Sequence, residues 1–172
     1  MTRVTTLCKK DVAILKKWEK KLVYKLKLIV VGKVKEEYYR KKIAEFSKTI
    51  EKKINFQIIE LEDESIPKKA SDSIMSQVKE KEGNRILENI DNQDYVVALC
   101  IDGKITTKEG LKNIFQNVAN QSIECVDFII GGSLGLSDKV VRRANYKLSF
   151  SKMTFPHQLM RVMLLEQIMD SI

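Results

Sequence analysis

An apolar run that stops in three closely spaced glycines constrains this chain more than any other feature. Phe128-Ile129-Ile130 leads straight into Gly131-Gly132-Ser133-Leu134-Gly135, and Leu136-Ser137 follows. A run with no polar alternation needs cover on both faces, as a central strand of a parallel sheet has. Tyr95-Val96-Val97-Ala98-Leu99-Cys100-Ile101 is a second run of the same kind. In such α/β sheets ligands bind beyond the carboxyl ends of the strands. Glycines there let backbone approach a ligand closely, because no Cβ intervenes.

The remaining segments supply the other strands and the covering helices. Leu26–Val31, ended by Gly32, reads as the first strand. Tyr39, Ile43, Phe46 and Ile50 fall at three- and four-residue steps, which predicts an amphipathic helix over 35–52. Asn55–Leu61 is the second strand, and 62–69, with Pro67, is a loop. Ser71–Ile90 reads as a charged helix that Gly83 weakens or breaks. After Tyr95–Ile101, Asp102-Gly103-Lys104 reads as a turn, and Thr106 with Glu109 forms a capping-box pattern for a helix to about Asn120. Val126–Ile130 is the next strand, and Ser137 caps a short helix to about Ala144. Lys147–Phe150 is the last strand, and Pro156 suits the first turn of a final helix. The alternation predicts an α/β fold with a parallel sheet.

Length favours a single domain, 25–172, preceded by a basic extension, 1–24. The net charge is +8, and residues 1–24 carry +5 of it, with Val12, Leu15, Trp18 and Leu22 at weak helical spacing. Such a charge fits either a solvated basic face or a surface for a polyanion such as RNA. No apolar run reaches 18 residues, and the N-terminus lacks a signal-peptide core, so a cytoplasmic protein is expected. Cys8, Cys100 and Cys125 are widely spaced and fit a reducing compartment. With one histidine and no close cysteine pair, no metal site is expected.

Gly131-Gly132-Ser133-Leu134-Gly135 also matches G-x-S-x-G, with Asp138 and His157 in the order of a hydrolase triad. Asp138 follows the loop directly instead of ending a later strand, and Ser137 starts the helix late for a nucleophile elbow. A serine hydrolase at Ser133 therefore stands as a third reading, beside a loop whose glycines serve only its turn. His157, in a first helical turn, has either a packing role or a chemical one. Arg161, one turn on, meets a phosphate with it or pairs with Glu166 or another acid. Lys152, Arg142 and Arg143 are either phosphate contacts or solvated surface.

The segments Phe128–Ser137, Arg143–Val162 and Leu164–Ile168 together resemble the bacterial ribosomal large-subunit methyltransferase H family of the SPOUT class. Leu26–Glu36 and Val78–Gly83 match its start and middle, so the resemblance runs from about Lys25 to Gln167. The resemblance implies an α/β domain with a C-terminal trefoil knot, working as a homodimer. It implies transfer of a methyl group from S-adenosylmethionine to N3 of a pseudouridine in 23S ribosomal RNA within the large subunit or 70S ribosome. The positions matching the family's cofactor site are Leu99, Gly131, Phe150, Ser151, Lys152, Met153, Thr154 and Phe155. No residue is identified as the catalytic base. After Gln167 the chain reads Ile-Met-Asp-Ser-Ile, where the family continues into a basic, aromatic tail. That departure sets up the alternative of a non-catalytic RNA- or ribosome-binding relic of the same fold.

Overall fold

The computed structural model describes residues 25–172, so the expectations for 1–24 lie outside the described residues. Five strands form one parallel sheet in the order β2-β1-β4-β3-β5. They are β1 (Lys25–Val31), β2 (Asn55–Leu61), β3 (Tyr95–Ile105), β4 (Cys125–Ile130) and β5 (Tyr146–Ser149). The helices are α1 (Glu37–Glu51), α2 (Asp72–Glu88), α3 (Lys108–Asn120), α4 (Asp138–Arg143) and α5 (His157–Met169).

The period-two alternation of strand side chains divides the core into two layers. Leu26, Leu28, Val30, Val97, Val126, Phe128 and Ile130 face α1, α3 and α5, and meet Phe46, Ile50, Leu111, Phe115, Leu164 and Ile168. Ile29, Val31, Val96, Ala98 and Ile129 face the opposite side, where Ile86 of α2 and Val140 of α4 cover them. Both faces of β1 and β4 are thus sealed, which explains their unbroken apolar runs.

Three local features refine the sequence reading. Asp102-Gly103-Lys104 is not a turn. β3 continues through it to Ile105 after a register shift, pairing Lys104 with Leu148 and Ile105 with Ser149. A Cβ on Gly103 would stand 2.7 Å from the Leu148 carbonyl carbon, so the glycine is what lets the two backbones close up. The cap of α3 is Thr107, not Thr106: its hydroxyl accepts the Gly110 N–H at 3.2 Å. Gly83 does not break α2. It is buried, and a Cβ there would overlap the Ser137 hydroxyl. The close approach of α2 to the start of α4 outweighs the roughly 1 kcal/mol helix cost of a glycine.

At the amino end of the sheet Lys27 is buried among acids. Its Nζ lies 2.7 Å from Asp94 Oδ2 and 3.2 Å from Asp127 Oδ2, and donates to the Asn89 carbonyl at 2.9 Å. Burial, the adjoining Asp94 and its charge push the Asp127 carboxyl up to about 7, against the opposing pull of Lys27. Asp94, Cys125 and Asp127 bring possible ligand atoms within 4.8 Å of one another, but the Lys27 ammonium already supplies the cation there.

Candidate active site

The carboxyl ends of β3, β4 and β5 open into a cleft of about 370 Å³. Its volume falls in the roughly 300–1,000 Å³ range of small-molecule sites. Leu99, Ile130, Leu148, Phe150 and Met160 give it apolar walls, the glycine loop forms one side, and the 150–156 loop closes over it.

The glycine loop is a tight reversal. Gly135 N–H donates to the Gly132 carbonyl at 3.0 Å, and Gly135 has φ +79°, a conformation that favours glycine. A Cβ on Gly131 would lie 2.7 Å from the Gly135 carbonyl carbon. Gly131 is therefore required by the loop's own fold. The helix begins only at Asp138, capped by the buried Ser137.

The 150–156 loop is shaped by two serines. The Ser149 hydroxyl lies 2.9 Å from the Ser151 carbonyl and 3.1 Å from that of Ile101, which binds the loop to the extended end of β3. The Ser151 hydroxyl accepts the Met153 N–H at 3.0 Å. Pro156 stands at the N-cap of α5, one residue before the first helical turn. Gln158 Oε1 accepts the Lys35 N–H at 3.0 Å, pinning the β1–α1 connection beside the cleft.

Seven residues expected at the site line this one cleft: Leu99, Gly131, Phe150, Ser151, Met153, Thr154 and Phe155. Lys152 does not line it; its side chain is exposed. Cys100, Ile101, Ile130, Gly132, Leu148 and Met160 also line it. Strand alternation could have flagged Leu148 and Ile130. Ile101 comes in only through the bulged continuation of β3.

Ser133 and His157 share the cleft, but no hydrogen bond among the described residues joins Ser133 to His157 or Asp138. With Ser133 exposed in a turn and no helix starting behind it, the hydrolase triad is not assembled. His157 is half-buried, and its imidazolium is disfavoured by that burial and then by the charge of Arg161, with Asp63 opposing. The ring is therefore neutral at pH 7, and its place at a helix N-terminus acts in the same direction.

Arg161 is not a phosphate contact. It is 1% exposed and donates to the Val31 and Gly32 carbonyls at 2.8 and 2.7 Å and to Glu60 Oε1 at 3.0 Å. Its acid is thus Glu60 and not Glu166, and its task is to dock α5 on the end of β1. Arg143 likewise braces a loop, donating to the carbonyls of Asp91 and Asp94 at 3.0 and 3.1 Å. Arg142 stays exposed.

A family model described as "Predicted SPOUT methyltransferase" matches residues 24–171. The chain is 50% identical over 141 residues to the ribosomal RNA large subunit methyltransferase H of Clostridium acetobutylicum, a match covering 82% of this chain and 89% of that protein. The protein of the same name from Clostridioides difficile is 50% identical over 143 residues, 83% and 90% of the two chains. That from Bifidobacterium adolescentis is 50% identical over 144 residues, 84% and 91%. A parallel five-stranded sheet, a glycine loop beside a cleft at its carboxyl end and a match across nearly all described residues agree: this chain belongs to the SPOUT methyltransferase family.

Proposed function

We propose that this chain transfers a methyl group from S-adenosylmethionine to N3 of a pseudouridine in 23S ribosomal RNA, as a cytoplasmic homodimer. The observation that carries the reading is the cleft itself. Seven positions matching the family's cofactor site converge on it from three separate strand ends. Relatives about 50% identical over nearly their whole length are named for ribosomal RNA methylation. Among the described residues no helix is long and apolar enough to cross a membrane.

The walls suit the cofactor. Leu99, Leu148 and Phe150 offer apolar surface to an adenine ring, and the backbone of the 150–156 loop offers donors and acceptors to its edge. When bound, S-adenosylmethionine supplies a methyl group activated by its sulfonium. The chain's own task is to hold the target N3 in line with that methyl, which can supply several kcal/mol of the barrier (up to roughly 7–11). The glycine loop, rigid through its internal bond, fixes one side of that alignment. His157, neutral at the cleft wall, is placed to accept the N3 proton or to hydrogen-bond the target base.

Three further elements belong to the proposal. The half-buried Leu159, Val162 and Met163 along α5 suit a second copy of the chain. The trefoil knot comes with the family resemblance that spans Phe128–Ile168. The division at residue 24 makes 1–24 a basic extension that favours RNA. Transfer of labelled methyl from S-adenosylmethionine to 70S ribosomes lacking the modification tests the reading. Label in the large-subunit RNA is expected. Neither transfer nor cofactor binding would overturn it, and cofactor binding without transfer would favour the relic.

A further inference from the structure

Behind the glycine loop, on the side away from the cleft, lies a carboxyl group that no step above uses. Glu82, just past the middle of α2, is only 4% exposed. Its Oε1 accepts the backbone N–H of Glu64 at 3.1 Å, and its Oε2 is buried without a hydrogen-bond partner. The carboxyl lies flush against Gly132: a Cβ there would stand 2.9 Å from Oε2 and 3.3 Å from Oε1. The next residue, Gly83, presses against Ser137 in the same way. Two consecutive residues of α2 thus back both ends of the segment whose front forms the cleft wall.

The surroundings of this group are acidic. Asp63 and Glu64 approach it from the β2–α2 loop. Arg85, the nearby cation on its own helix, is engaged by Glu64 and by the Glu62 carbonyl. Burial first, and then the charges of Asp63 and Glu64, hold the Glu82 carboxyl above the ordinary carboxylate range, against the Glu64 N–H and Arg85. A buried polar group with one atom unsatisfied costs stability, so its retention beside a ligand-facing loop asks for a role.

We infer that Glu82 is a positioning residue for the cofactor: its carboxyl, wedged between the Glu64 backbone and Gly132, holds the glycine loop in the form that accepts S-adenosylmethionine. The inference rests on the reading of the cleft as the cofactor site. It adds a residue that never touches cofactor or RNA and that acts through Gly132. Cleft geometry of this kind depends on such support, because a loop held loosely loses alignment at the reacting atoms.

Calorimetric titration of S-adenosylmethionine into the full chain and into Glu82→Gln, Glu82→Asp and Glu82→Ala tests it, with a thermal midpoint for each variant. Glutamine keeps the length and the acceptor, so its Kd should stay within about threefold of the unsubstituted chain. Aspartate falls short of Gly132, and alanine leaves the wedge empty; both should weaken binding about tenfold or more, as losing a buried polar contact does. In methyl transfer the cofactor KM should rise in these two variants while the ribosome KM holds. Alanine and aspartate variants that bind like the unsubstituted chain would overturn the inference alone. A glutamine variant as weak as alanine would also overturn it. An unsubstituted chain that binds no S-adenosylmethionine would overturn the cleft reading and this inference with it.

Discussion

Gly83 of α2 and Ser137 at the cap of α4 touch so closely that no side chain fits between them. The contact joins α2, which covers the sheet face opposite α1, α3 and α5, to the end of the glycine loop. Alanine at 83 would help the isolated helix by about 1 kcal/mol. Overpacking against Ser137 costs roughly 1–3 kcal/mol. We expect Gly83→Ala to lower the urea midpoint in spite of its better helix propensity. An unchanged or raised midpoint would mean the contact yields freely.

Arg161 offers a second test of loop support. Its side chain is buried, yet its carboxylate partner Glu60 is 41% exposed, so the two carbonyl bonds to Val31 and Gly32 matter most. Arg161→Met should cost about 3 kcal/mol, because the fork that holds α5 to β1 is lost. Glu60→Gln should cost at most about 1 kcal/mol, as exposed pairs do. Thermal denaturation of the two variants side by side checks the ranking.

Asp127 makes stability depend on pH in an unusual direction. Its carboxyl is raised from 3.8 in the unfolded chain to about 7 in the fold. Between those values the native state binds the extra proton, so this group's contribution falls as pH rises from about 4 to about 7. Asp127→Asn has no proton to lose. Its stability relative to the unsubstituted chain should therefore improve across that window and level off on either side. Urea midpoints of both chains from pH 4.5 to 8 measure the difference.

His157 should separate chemistry from cofactor binding. His157→Ala should lower kcat by about 100-fold, the scale of a lost proton acceptor, with the cofactor Kd within about threefold. Because burial and Arg161 hold its imidazole below the ordinary value of 6.5, kcat of the unsubstituted chain should be flat above about pH 6.5 and fall below it. Equal losses in kcat and cofactor affinity would place His157 in the cofactor wall instead.

The strands were legible because burial on both faces leaves an unbroken apolar run, as in Tyr95–Ile101 and Val126–Ile130. The extension of β3 to Ile105 was not. Asp102-Gly103-Lys104 has turn composition, and only its pairing with Leu148 and Ser149 makes it a strand. The cleft walls were legible through family resemblance at Phe150–Phe155, except that Lys152 points away from them. Arg161 stayed open between a phosphate and an acid because its main partners are backbone carbonyls about 130 residues away, which carry no sequence signal. Gly83 looked like a helix breaker for the same reason: the hydroxyl that demands it belongs to another element.

The central claim is methylation at N3 of a pseudouridine, and nucleoside mass spectrometry tests it most directly. Ribosomes lacking the modification would be incubated with this chain and S-adenosylmethionine, and their large-subunit RNA digested to nucleosides. The account predicts a new 3-methylpseudouridine that is absent without the chain and strongly reduced by His157→Ala. A methyl group on any other nucleoside, or none despite bound cofactor, would contradict it.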